Sequence, residues 1–268
     1  MTGEIDPLYV IARKTLLDAL DALVSHRDAL ILVGAQAIYL HVGEADLAVA
    51  PYTTDGDLAL DPQLLGDDPN IEAAMTRAGF SLKNPPGLWR SQIDIQIDLL
   101  VPDAVGGDGS RGARLGIHGN LVARKARGLE AALVDKAERS ISALEPNDHR
   151  VHRLAVAGPA ALLVAKLHKL AERLAADPRR LKAKDALDVY RLLRNIPGTS
   201  LATSLKALNE NEVSRTVTTE AIGHLRALFG FAESKGAQLA VQAAEGLENP
   251  LTIAASCAAL ATELLARF

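Results

Sequence analysis

Apolar residues recur at helical spacing through residues 6–26, "DPLYVIARKTLLDALDALVSH", with Asp6 and Pro7 as a start signal, which predicts an N-terminal helix. The stretch "ALILVGAQAIYLHVG" (29–43) reads as a short buried strand, a glycine turn and a small-residue helix. Residues 44–54 read as a loop, after which "DGDLALD" opens a second strand. "NIEAAMTRAG" (70–79) predicts a helix capped by Asn70 and stopped by Gly79. The alternation in "RSQIDIQIDLLV" (90–101) predicts a strand with Ile93, Ile95 and Ile97 on one face and Asp94, Gln96 and Asp98 on the other.

The Gly-rich stretch 102–116 reads as a loop, 127–144 as mixed and part helical, and "HRVHRLAVA" (149–157) as a strand. Gly158-Pro159 opens a strong helix, "AALLVAKLHKLAERLAA", followed by the amphipathic "KAKDALDVYRLLR" (182–194). Several Ala- and Leu-rich helices fill residues 199–268. The pattern therefore predicts an α+β protein, with a mixed α/β domain over 1–157 and an all-helical domain over 158–268.

Composition changes this picture little. The net charge of −4 does not by itself suggest a nucleic-acid binder. Cys257 is the only cysteine, which excludes an intrachain disulfide and favours a reducing compartment. No apolar run reaches membrane-spanning length, and the N-terminus lacks a signal-peptide pattern. The expectation is a cytoplasmic protein with no membrane partner.

The chemistry concentrates in "TTDGDL". Residues two apart on a strand share a face, with Cα atoms roughly 6.5 Å apart, so Asp55 and Asp57 project together. Paired carboxylates repel unless a cation stands between them, so the pair is either a solvated turn or half of a metal site. If the strand carrying Asp98 lies alongside, three carboxylates converge, a set suited to one or two Mg²⁺ ions that also hold substrate phosphates. Asp94 shares the polar face with Asp98 and is its rival as third ligand. Upstream, "VGA" places Gly34 and Ala35 at a strand end before a helix, where backbone N–H groups can approach a phosphate.

"LVGAQA", "TTDGDL" and "IDLLVP" in that order resemble the nucleotidyltransferase superfamily of the polymerase-β type. Downstream, "ALLVAKLHKLAER" and "KDALDVYRLL" are similar to motifs of the AbiEii/AbiGii toxin family, which includes the MenT-type toxins of toxin–antitoxin systems. The resemblance covers roughly residues 29–195. It implies a nucleotidyltransferase-fold mixed sheet with flanking helices, NTP as substrate and Mg²⁺ as cofactor. It further implies a tRNA or other RNA acceptor and a cognate antitoxin as partner. Asp55, Asp57 and Asp98 would be catalytic metal ligands, and Gly34 and Ala35 would hold the nucleotide. Lys166 would bind the triphosphate, with Asp185 and Asp188 orienting that lysine or touching the nucleotide.

Two departures stand out. Ala35 replaces the usual Ser or Gly after the turn glycine, and Pro51 and Tyr52 occupy positions where the family often carries an Arg. They support an alternative in which the fold is kept as a catalytically inactive binding or regulatory module. Between 166 and 184 the run Lys166, Lys169, Arg173, Arg179, Arg180, Lys182 and Lys184 forms a basic patch, with Lys169 the rival to Lys166. Such a run suits a triphosphate or an RNA backbone, or else is a solvated helix–loop–helix.

Overall fold

A computed structural model of the chain describes residues 6–43, 53–109, 111–177, 179, 181–245 and 248–268. Pro51, Tyr52 and Arg180 lie outside the described residues. The protein is α+β, and its helices and strands divide into two compact units. One unit comprises the chain to Ala37, Ala50–Ala126 and Lys136–Ala157; the other comprises Ile38–Val49, Arg127–Asp135 and Gly158–Phe268.

The first unit begins with α1 (Pro7–Ala22), whose start is held by the Asp6 carboxylate accepting from the Leu8 N–H at 2.8 Å. Ala12, Leu16 and Leu20, one turn apart, form its buried stripe. The unit's sheet contains β1 (Leu30–Val33), β2 (Asp55–Leu60), β3 (Ser81–Lys83), β4 (Leu88–Arg90), β5 (Gln96–Pro102), β6 (Arg124–Ala126), β7 (Lys136–Ser142) and β8 (Val151–Ala157). Their order is β3-β4-β5-β2-β1-β8-β7, with β6 added beside β5. β1 is antiparallel to β2, while β1–β8, β2–β5 and β5–β6 are parallel, which makes the sheet mixed. Every residue of β1 is buried, as a central strand covered on both faces requires. α2 (Gly34–Val42) follows β1 directly, and α3 (Ile71–Arg77) is capped by Asn70, whose side chain accepts from the Ala73 N–H at 3.1 Å.

One expectation needs correction. The strand predicted over 90–101 is broken: β4 ends at Arg90, and β5 starts at Gln96. Residues 91–95 form the hairpin turn between them, with Asp94 at φ 63° and the Asp94 N–H donating to the Ser91 carbonyl at 3.0 Å. Ile93 is 64% exposed at the tip, so the isoleucine alternation does not describe one strand face. The stretch 127–144, read as mixed and part helical, holds the helix α4 (Glu130–Val134) and β7, an edge strand antiparallel to β8 on which Ile141 alone is buried. An edge strand solvated on most of its length carries no apolar period to read.

The second unit is helical: α4, α5 (Pro159–Ala176), α6 (Ala183–Asn195), α7 (Gly198–Glu210), α8 (Arg215–Phe229), α9 (Lys235–Ala243) and α10 (Pro250–Arg267). Pro159 occupies the first turn of α5, where its missing N–H costs nothing, and the Asp135 carboxylate accepts from the Ala161 N–H at 3.0 Å. Its core is built from Leu163 and Leu167 of α5, Val189 and Tyr190 of α6, Phe229 of α8 and Cys257 of α10, all essentially fully buried. Among the described residues no helix is long and apolar enough to cross a membrane.

Candidate active site

Strand register brings the first-unit acids together. Val33 pairs with Asp57 across β1 and β2, Asp57 pairs with Asp98 across β2 and β5, and Asp55 pairs with Gln96. Residues in register on neighbouring strands point to the same face and stand about 4.8 Å apart. Asp57 and Asp98 are therefore side by side, with Asp55 two residues up the same face. Both Asp57 and Asp98 are buried.

The Asp-Gly-Asp spacing has a local cause. A Cβ at Gly56 would stand 2.9 Å from Ile97 Cδ1 and 3.2 Å from Leu16 Cδ1, so the residue between the acids faces the apolar packing of α1. The acids are thereby confined to the opposite, polar face. Gly34 is tied to the same constellation. Its φ is +70°, and a Cβ there would run into the Asp57 carboxylate and stand 2.7 Å from its Cγ. The glycine is what lets the β1–α2 turn approach Asp57 closely. Ala35 follows it, buried in the first turn of α2.

Partners not anticipated from the sequence surround the acids. Arg124 of β6 donates to both oxygens of Asp98, at 2.8 and 2.7 Å, and Gln96 Nε2 donates to Asp98 Oδ1 at 2.9 Å. Thr53 Oγ1 donates to Asp55 Oδ1 at 2.5 Å, which fixes that side chain at the strand start. The Asp55 carbonyl accepts from Gln36 Nε2 at 3.0 Å, and Gln36 in turn accepts from the buried Arg13 at 2.7 Å. Arg13 also donates to the Tyr9 hydroxyl at 2.7 Å and the Ser142 carbonyl at 2.9 Å. Burial pulls the Arg13 guanidinium below its ordinary value, opposed by the neighbouring Tyr9. Arg13 and Gln36 thus anchor the backbone on which Asp55 sits. Arg13 lies in no motif, and Gln36, though within "LVGAQA", is not marked there as an anchor; their roles show only through contacts spanning 23 and 19 residues.

The oxygen-only donor set suits a hard divalent cation such as Mg²⁺. Asp55 and Asp57 fit such an ion in kind and in strand position. Asp98 fits in position, but both its oxygens are taken up by Arg124. Among the described residues no group of three His, Cys, Asp or Glu side chains is gathered closely enough to hold a metal ion. Asp94 stands in the hairpin turn with an exposed side chain, 3.5 Å from Arg90, and is not the neighbour of Asp57.

The remaining candidates belong to the helical unit. Lys166 of α5 is buried and donates at 2.8 Å to Asp185 Oδ1 and at 2.8 Å to Asp188 Oδ2, both on α6 and both buried. The i, i+3 spacing of the two acids puts them on one helix face, as the sequence suggests. Arg173 Nη1 reaches Asp185 Oδ2 at 2.5 Å and Lys169 lies 3.4 Å from Asp185 Oδ1, while Arg191 pairs with Asp188 at 3.2 Å and stacks over the Tyr39 ring. Burial pushes Asp185 up, but Lys166, Lys169 and Arg173 outweigh it and hold the carboxyl far below the usual range. Burial pulls Lys166 down, yet the two carboxylates prevail and raise it well above its ordinary value. The basic run is thus partly spent within the unit: Lys166, Lys169 and Arg173 converge on Asp185, while the exposed Arg179 pairs with Asp177 at 3.0 Å.

No protein-family model matches the sequence, and no curated protein matches it. Among solved structures the chain is similar to the antibiotic-resistance factor ANT(2'')-Ia, at 15% identity and a TM-score of 0.45, over 79% of this chain and 96% of that one. It is also similar to an antigenic nucleotidyltransferase-like protein from Paracoccidioides brasiliensis, at 14% identity and a TM-score of 0.40, over 79% of this chain and 93% of that one. Both scores fall below 0.5, and the functional reading rests on the chain's own residues.

Proposed function

We propose that this protein is a Mg²⁺-dependent nucleotidyltransferase that moves a nucleoside monophosphate from an NTP to an acceptor hydroxyl. The observation that carries the reading is the register of Asp57 against Asp98, with Asp55 on the same face and Gly34 against Asp57. Asp55 and Asp57 would hold the metal. When bound, the metal neutralises charge on the triphosphate and lowers the barrier to attack by an acceptor oxygen. The chain's own part is positioning. Asp98 would accept the acceptor's proton once its oxygens are released from Arg124. The β1–α2 turn presents backbone at Gly34 and Ala35 for a phosphate, and Ala35 in place of a hydroxyl residue leaves that contact to main-chain donors. In the helical unit, Lys166 would bind the triphosphate, oriented by Asp185 and Asp188, which accept from its Nζ.

The motif order further supports an AbiEii/MenT-like toxin, with a tRNA acceptor and a neutralising antitoxin as partners. The test incubates the protein with each α-labelled NTP, Mg²⁺ and total tRNA, comparing wild type with Asp57→Ala. Label appearing on tRNA with the wild type and lost by at least about a thousandfold in the variant is the expected result. Label on the protein or on a small molecule, equally dependent on Asp57, would keep the transferase and discard the tRNA. Transfer to no acceptor would favour the inactive binding module.

A further inference from the structure

We propose that Arg124 acts as a resident cation on Asp98, competing with the divalent metal, so that the site assembles only when a triphosphate offers the guanidinium another anion. The inference rests on the transferase reading, whose site it deepens. Arg124 is in register with Leu100 on the parallel strand β5, two residues beyond Asp98, and so projects from the same face as the acid and diagonally toward it. The pairing is bidentate, at 2.8 and 2.7 Å, and mostly buried, with Asp98 7% and Arg124 22% exposed at the side chain. A fork-to-carboxylate pair of this kind is directional and strong. Gln96 adds a third donor, at 2.9 Å to Oδ1.

A carboxylate that accepts three hydrogen bonds, two from a cation, is a weak metal ligand. Asp57 and Asp55 alone offer a metal a poorer site than all three acids together. Arg124 is therefore a positioning residue. Its departure from Asp98 costs an ion pair unless an anionic phosphate replaces the carboxylate as partner. Metal and triphosphate must then bind with positive coupling, and the coupling must be reciprocal.

The test measures Mn²⁺, which shares the oxygen-ligand preference of Mg²⁺, by the electron paramagnetic resonance of the free ion. Titrations use the full-length wild type, Asp57→Ala, Arg124→Met and Arg124→Lys, each with and without a non-hydrolysable NTP analogue. In the wild type Mn²⁺ alone binds weakly, and the analogue tightens it by at least about tenfold beyond its own chelation of Mn²⁺ in a protein-free titration, within the usual range of coupling between sites. In Arg124→Met, Mn²⁺ alone binds about tenfold tighter than in wild type and the analogue adds little. Arg124→Lys, which keeps the charge but loses the fork, falls between wild type and Arg124→Met. Affinity in Arg124→Met equal to or weaker than wild type would overturn the competition. Mn²⁺ binding indifferent to Asp57→Ala would instead overturn the transferase reading itself.

Should Arg124→Met fail to fold, the wild type supplies a second readout in its ¹⁵N-labelled arginine Nη–H resonances. The competition expects the slowly exchanging pair held by Asp98 to shift when Mg²⁺ and the analogue are added together. Signals unmoved by that addition would refute the competition as directly as the titration.

Discussion

Substituting Gly34 by Ala perturbs the one place where backbone geometry and a candidate catalytic carboxylate depend on each other. Two costs follow. At φ +70° an alanine meets the left-handed penalty, roughly 1–2 kcal/mol. Its Cβ must also displace Asp57, an overpacking cost of about 1–3 kcal/mol. Together they predict a loss of about 2–5 kcal/mol. At a urea slope of about 2 kcal/mol/M this lowers the unfolding midpoint by roughly 1–2.5 M. Trp89, the only tryptophan, reports on the sheet, because it is fully buried on β4 with its indole N–H donating to the Val122 carbonyl at 2.9 Å. Its fluorescence through a urea titration is the assay. Gly116 separates the two costs, since it stands in the same unit at φ +55° with nothing within 4 Å of where a Cβ would be. Gly116→Ala should carry only the backbone penalty. The collision itself is isolated by a double-mutant cycle with Asp57→Gly, in which Gly34→Ala and Asp57→Gly should couple by about 1–3 kcal/mol. Additivity within about 0.5 kcal/mol would show that Gly34 and Asp57 are not in close approach, and the site would lose its phosphate-side wall.

Two further outcomes follow from the helical unit. Asp185 is held low in the folded state, so its stabilisation is complete above the unfolded carboxylate value and is lost as pH falls through the folded one. Wild-type stability should fall more steeply than that of Asp185→Asn between about pH 3 and pH 2, by roughly 1.4 kcal/mol per pH unit, measured by denaturant unfolding; parallel acid limbs would contradict the pairing. Cys257 is fully buried on α10 and burial pushes its thiol up to about 12. An aromatic disulfide reagent at pH 8 should modify it only as fast as the unit opens, and reaction on mixing would show that α10 is not packed against the core.

What could be read from the residues, and what could not, divides along physical lines. The β1–Gly34–α2 connection and β2 were legible because each is marked locally, by an apolar run, a punctuating glycine and a period of two. Asp98 was legible for the same reason. Its hairpin was not, because Ile93 and Ile95 continue the alternation straight through a turn in which Asp94 takes a left-handed backbone. Nothing in the side-chain pattern distinguishes a strand from a turn that keeps its phase, and only the Ser91 and Arg90 hydrogen bonds closing on residues 94 and 95 do so. The deeper omission concerns cations. Acids that work as a set must sit at fixed strand positions, so they leave a spacing in the chain. The guanidinium groups behind them have long, flexible reach: Arg124 comes from 26 residues away to hold Asp98, and Arg13, 42 residues from Asp55, acts on its backbone through Gln36. Their positions obey no period. The same asymmetry governs the helical unit, where the i, i+3 spacing of Asp185 and Asp188 was legible in the sequence, while Arg173 of α5 emerges as a partner of Asp185 only when α5 and α6 are packed together. The carboxylates mark the site, but the state they are in is decided by the arginines. A reading from acids alone finds Asp98 and assigns it to metal, without seeing that another cation already holds both of its oxygens.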